Sequence, residues 1–176
     1  VVRREIKKIE KLGVEFRLSS MIGTEVTLDD ILNQGYDAVF VGTGNSVSKS
    51  LQIEGSLIAG VLQAAYLLEM VALAGQGSVA VRAGDQVVII GAGNTAMDAA
   101  RTAMREKAAS VTVLNRSREE EIAAWPAEVE LAKEEGVKVL SLLAPQRFLG
   151  NEHVIGVECV EREIAEDGSV MDTDRA

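Results

Sequence analysis

The 176-residue chain holds 18 basic and 27 acidic residues, a net charge of −9. That balance excludes a broad surface for nucleic acid or an anionic membrane but leaves room for a local basic pocket. Apolar residues make up 47% and aromatics only 3%, which suits an α/β fold whose Val, Ile, Leu and Ala elements pack closely. The single cysteine, Cys159, rules out an internal disulfide, a C-x-x-C redox pair and an iron–sulfur cluster held within this segment. It lies in an apolar-alternating run and reads as an inert thiol, consistent with a cytoplasmic location. The chain begins at Val1 rather than methionine, so a piece of a longer protein is expected.

In chain order, Val2–Leu12 predicts an amphipathic helix with Val2, Ile6, Ile9 and Leu12 on one face, ended by Gly13. The alternation Val14-Glu15-Phe16-Arg17-Leu18 predicts a strand. Thr27 is placed to cap a short helix over Leu28–Asn33, with Asp29 and Asp30 in its first turn and Gly35 beyond its end. Ala38-Val39-Phe40-Val41 reads as a buried strand leading into Gly42-Thr43-Gly44, followed by a loop over Ser46–Ser50. Val61–Leu73 predicts a helix covered on most sides. Within the apolar stretch Ile58–Ala74, Gln63, Tyr66 and Glu69 argue against a membrane span. Ala74–Gly84 reads as a linker.

The most informative stretch follows. Val87-Val88-Ile89-Ile90 predicts a strand buried on both faces, as in a parallel sheet. Gly91-Ala92-Gly93 then permits a tight turn, and from Asn94 a helix begins with Ala96, Ala99, Ala100 and Ala103 as a small face. This is the G-x-G-x-x-A form of the dinucleotide fingerprint, in which N–H groups at the helix start meet a pyrophosphate. Gly91, Gly93, Asn94 and Thr95 are the candidate contacts. Strand Val111–Asn115, helix Ala127–Glu135 and strand Val137–Leu142 complete a β-α-β-α-β unit. Beyond Pro145, turn signals at Gly150-Asn151 and Asp167-Gly168 separate Arg147–Leu149, Val154–Ile164 and Val170–Met171, which predicts an antiparallel meander.

Coenzyme choice is read at the end of the second strand. An NAD site places a carboxylate there, whereas this chain has Asn115 followed by Arg116, Ser117 and Arg118. An arginine fork pairs with a 2′-phosphate, so NADP is favoured over NAD. A solvated charged loop is the competing account, because Glu119, Glu120 and Glu121 follow directly. Arg116 is the first choice for the phosphate and Arg118 the second. His153, the one histidine, falls in a predicted hairpin turn, and no Ser–His–Asp set or metal cluster is visible. No catalytic residue is assigned; a hydride acceptor such as flavin is implied, held mostly by other sequence.

The run Val88-Ile89-Ile90-Gly91-Ala92-Gly93-Asn94-Thr95-Ala96-Met97-Asp98-Ala99-Ala100-Arg101 resembles the NADPH-domain signature of the glutamate synthase small subunit family. That family also includes the electron-entry parts of dihydropyrimidine dehydrogenase and of the ferredoxin:NADP oxidoreductase large subunit. Asn115–Glu120, Trp125–Glu128 and Lys133–Val137 resemble its next segments. Tyr36–Gly44 resembles a strand and turn of its FAD domain. Two departures stand out: Asn115-Arg116-Ser117-Arg118 replaces an aromatic followed by two adjacent arginines, and Glu121–Ala124 resembles a small insertion.

The resemblance implies residues 1–80 as a partial FAD-binding domain and linker, with Gly42, Thr43 and Gly44 near the flavin nucleotide. It implies 81–176 as an NADPH-binding Rossmann-like domain lacking its last strand. It further implies hydride exchange between NADPH and FAD, the latter bound only in the full-length protein. Electrons would pass onward to a large catalytic subunit or iron–sulfur partner. An NADP(H) sensor or scaffold module is the alternative from another class, and a methyltransferase-like domain a third.

Overall fold

Strand β1 (Gln86–Ile90) pairs in parallel with β2 (Ser110–Asn115), and β2 with β3 (Lys138–Ser141), in the spatial order β1-β2-β3. These are three short β-rich runs joined by helices, α4 (Asn94–Arg105) and α5 (Pro126–Glu134), as parallel pairing requires. The predicted β-α-β-α-β unit is therefore present. The computed structural model describes residues 2–44, 51–74 and 80–173. The chain divides into two units, Val1–Gly44 and Asn45–Ala176.

The core of the second unit is built on α4. Its Ala96, Met97, Ala99, Ala100 and Ala103 are buried together with Ile89, Val111 and Val113 of the sheet and Val129 and Ala132 of α5. Alanines leave no side-chain bulk between helix and sheet, and Met97, fully buried, fills what space remains. Helix α3 (Ala64–Ala74) joins this cluster through Leu67, with Ala64 and Val71 partly buried against it. Its other apolar residues include Tyr66 and Leu73, which are exposed, so the expectation of a helix covered on most sides is corrected: it buries one stripe only.

After β3 the chain turns sharply at Leu142, a non-glycine residue at φ 60. Both Leu142 backbone groups are bonded, its N–H to the Ser117 carbonyl at 3.2 Å and its carbonyl to the Arg162 N–H at 2.8 Å. These bonds hold a left-handed conformation that L-residues seldom adopt. Strands β4 (Leu143–Gly150), β5 (Val154–Ile164) and β6 (Val170–Asp172) then form the expected antiparallel meander. Residues Glu54 and Ala59 bridge to its edge, where their carbonyls accept from the Phe148 and Val154 N–H groups at 2.9 Å.

In the first unit the local signals hold and the non-local ones fail. Helix α1 spans Val2–Glu10. Helix α2 spans Leu28–Asn33 behind a reciprocal cap in which Thr27 Oγ1 accepts from the Asp30 N–H at 3.1 Å and Asp30 Oδ2 from the Thr27 N–H at 2.9 Å. Neither the strand expected at 14–18 nor the one at 38–41 forms. Phe40 is 94% exposed and Val41 also open, so the expected burial is corrected as well. A strand needs a neighbour to satisfy its backbone, and here the described pairing is one isolated bridge, Ile22 to Val26. The predicted loop at 46–50 and the middle of the predicted linker, 75–79, lie outside the described residues.

Removing the packing beneath α4 tests this account. Met97→Ala should lower unfolding stability by about 2–5 kcal/mol, measured by urea denaturation of the chain, because the methyl side chains of the surrounding alanines are too short to collapse into the void.

Candidate functional site

The turn between β1 and α4 has an internal logic at each glycine. Gly91 sits at φ +95, where a side chain is strained, and its N–H bonds the Leu114 carbonyl at 2.9 Å. Gly93 differs: it is extended, at φ −91, a conformation open to any residue, and a Cβ there would meet no protein atom within 4 Å. Nothing in the described chain calls for glycine at 93. What it leaves is open space at the N-terminus of a twelve-residue helix.

That terminus has unused donors. The N–H groups of Ala96 and Met97 reach the Gly93 carbonyl at 3.0 and 3.1 Å, and no side chain caps the turn. The N–H groups of Asn94 and Thr95 have no acceptor among the described residues. Together with the positive end of the helix dipole they have the chemistry to receive an anionic group. The rim is fixed from the side: the Ala124 N–H donates to the Ala92 carbonyl at 3.1 Å, and the Trp125 N–H to Asn94 Oδ1 at 2.9 Å. The Asn94 side chain thus faces the neighbouring loop, and its backbone N–H faces the turn.

The loop after β2 gives different surroundings to the two arginines that the sequence ranks first and second. Asn115 is buried, at 6% exposure. Its Nδ2 donates to the carbonyls of Ser117 and Arg118 at 2.9 and 3.0 Å and to Ser141 Oγ at 3.2 Å. Arg118 is half-buried, its guanidinium donating to the Gly168 carbonyl. Arg116 is exposed, and its side chain makes no hydrogen bond or ion pair with a described residue. The acidic run does not neutralise it. Glu119 pairs with Lys133 at 2.8 Å, and Glu121 accepts from the Arg118 N–H at 3.3 Å.

A charged clasp missed by the sequence reading holds α4 to both ends of α5. Arg101, largely buried, reaches Glu128 at 2.6 Å and Glu135 at 2.9 Å, and Arg105 also pairs with Glu135 at 2.9 Å. Its members lie 27 and 34 residues apart, so only the fold brings them together. His153 is exposed at the β4–β5 turn, and burial pushes the half-buried Cys159 thiol up. Among the described residues no cluster is arranged to hold a metal, and no helix is long and apolar enough to cross a membrane.

A parallel βαβαβ sheet with a glycine turn opening onto a bare helix terminus defines a dinucleotide-binding fold of the Rossmann type. The sequence model of the pyridine nucleotide-disulphide oxidoreductases matches residues 3–176, and the chain belongs to that family. It is 35% identical over 177 residues to the NADPH-Fe(3+) oxidoreductase subunit beta of Geobacter sulfurreducens, covering 94% of this chain and 25% of that protein. It is 37% identical over 173 residues to the glutamate synthase [NADPH] small chain of Escherichia coli, covering 93% and 36%. The chain thus spans about a quarter to a third of the length of these curated relatives. In fold it resembles Mycobacterium tuberculosis FprA in complex with NADPH, with TM-score 0.76 and 16% identity over 99% of this chain and 55% of that one. The family resemblance read from the sequence is borne out.

The clasp has a pH signature. Burial pushes the Glu135 carboxyl up, but the Arg101 and Arg105 guanidiniums outweigh it and hold the group below its ordinary value of 4.5. A depressed carboxyl contributes stability above its unfolded pKa and loses it as pH falls through the folded one. From roughly pH 5 downward, urea midpoints should fall more steeply in the unmodified chain than in Glu135→Gln.

Proposed function

We propose that this chain is the NADP(H)-binding part, with a portion of the FAD-binding part, of an NADPH-dependent flavin oxidoreductase like the glutamate synthase small subunit. The observation that carries the reading is Gly93: a glycine that no described protein atom demands, above N–H groups that no described acceptor uses. In this reading the coenzyme pyrophosphate lies against Gly91, Gly93 and the N–H groups of Asn94 and Thr95. Arg116 is the group for the 2′-phosphate, because its guanidinium is exposed and uncommitted while that of Arg118 is half-buried and tied to the Gly168 carbonyl through Nη2. Arg118 then shapes the loop.

The division of labour assigns residues 81–176 to the coenzyme and 1–80 to the flavin domain and linker. Gly42, Thr43 and Gly44 stand exposed on irregular backbone, and in this reading they face the flavin nucleotide. When bound, the nicotinamide coenzyme supplies a hydride for the flavin. This chain's part is to grip the phosphates and discriminate the 2′-group. Onward transfer to a large subunit or an iron–sulfur partner is part of the same proposal, supported by the relatives' designation as small chain and subunit beta. One cysteine and the lack of a membrane-crossing helix among the described residues support a cytoplasmic setting.

Two binding measurements test it. Gly93→Val should abolish NADPH binding by calorimetry while lowering stability by only about 1 kcal/mol, the scale of a lost helix cap. Unaltered affinity would place the dinucleotide elsewhere. The unmodified chain should bind NADPH more tightly than NADH at low salt, with the gap narrowing as salt rises. Arg116→Ala should weaken NADPH binding about ten- to a hundredfold, the loss of one charge-assisted contact, and leave NADH nearly unaffected. Equal affinity of the unmodified chain for both coenzymes refutes the reading.

A further inference from the structure

We propose that Arg162, on β5, is a positioning residue for coenzyme discrimination: it fixes the backbone from which Arg116 extends. The inference rests on Arg116 being the group that meets the 2′-phosphate.

The guanidinium of Arg162, mostly buried, is shared among three acceptors. Nε donates to Asp172 Oδ1 at 2.6 Å and Nη2 to the Val170 carbonyl at 3.0 Å, both within the β5–β6 hairpin. Nη1 alone leaves the hairpin, and donates to the Arg116 carbonyl at 2.9 Å across 46 residues of sequence. The backbone of Arg162 reinforces this link, since its N–H holds the Leu142 carbonyl while the Leu142 N–H holds the Ser117 carbonyl. Gly168, in the turn of the same hairpin, receives Arg118. Three consecutive carbonyls, those of Arg116, Ser117 and Arg118, are therefore all taken by donors, Asn115 Nδ2 supplying the rest.

Fixing those carbonyls fixes the peptide planes, and with them the direction in which the Arg116 side chain leaves the loop. A long flexible cation gains little from a phosphate if its root also wanders, and a misplacement of about 1 Å is enough to weaken a positioned contact. The hairpin acts as a fork that holds the loop from outside the parallel sheet. The contacts to Asp172 and the Val170 carbonyl stay within the hairpin, and the third prong, on the Arg116 carbonyl, does the holding.

The test compares NADH and NADPH dissociation constants, by calorimetry at low salt, for the 176-residue chain and three variants, with thermal unfolding alongside. Arg162→Gln should lower the NADPH preference roughly three- to tenfold, with NADH affinity unchanged. Arg162→Lys, which keeps the charge but loses the planar fork, should fall between the two. Asp172→Asn removes the ion pair within the hairpin but leaves the bond to Arg116. It should lower the unfolding temperature and keep the preference within about twofold. The proposal is overturned if both Arg162 variants keep the full preference, or if Asp172→Asn lowers it as much as they do, which would make hairpin stability the cause. If Arg162→Gln does not fold, Arg162→Lys decides by the same criterion. An unmodified chain without preference, or an Arg116→Ala chain that keeps it, instead removes the reading on which this one rests.

Discussion

Everything in the second unit depends on how closely α4 lies against the parallel sheet. Four buried alanines and one methionine replace the usual bulky interface, so the helix start is brought directly onto the end of β1. A larger side chain at Ala96 or Ala100 would push the helix off the sheet and carry its terminus away from Gly91. The place of the unused N–H donors is thus a product of core packing. The clasp of Arg101 with Glu128 and Glu135 acts on the same helix from its outer side, where it ties α4 to α5.

The second contributor is the meander, which is easily taken for a decorative appendix to the nucleotide fold. Its hairpin turn and its buried arginine meet the loop after β2, and the strained Leu142 joins them. Parallel strands cannot supply such support at their own carboxyl ends, because the loops there project beyond the ladder. An antiparallel extension folded back onto that end supplies donors where the sheet has none left to give.

How much of this was legible follows from the range of each interaction. The Thr27 cap and the β1–α4 turn rest on contacts a few residues apart, and the elements from 85 to 172 carry their own hydrophobic period, so most of their bounds are legible to within about two residues; β4 is the exception, since it begins at Leu143 where composition marks a strand only from 147. The runs at 14–18 and 38–41 have good strand composition, yet strand formation depends on a partner that composition does not name. Arg116 and Arg118 look alike in sequence, and what separates them is a carbonyl 50 residues downstream. Arg162 gave no signal either, since a charged residue in an alternating strand reads as a solvent-facing position. Asn115 was noticed for the carboxylate it is not. Its buried amide role in folding the loop emerges only with Ser141 beside it.

The left-handed Leu142 and its two backbone bonds have a consequence for modular exchange among these enzymes. The segment proposed to read the 2′-position is short and looks portable, but its shape is borrowed from residues at 142, 162 and 168. Transplanting 115–121 into another dinucleotide fold would carry the arginines and leave their anchors behind. The exchangeable unit is the loop with its hairpin, two stretches that are distant in sequence and inseparable in space. Substitutions that alter coenzyme choice in such a protein are therefore expected in the hairpin as well as in the loop.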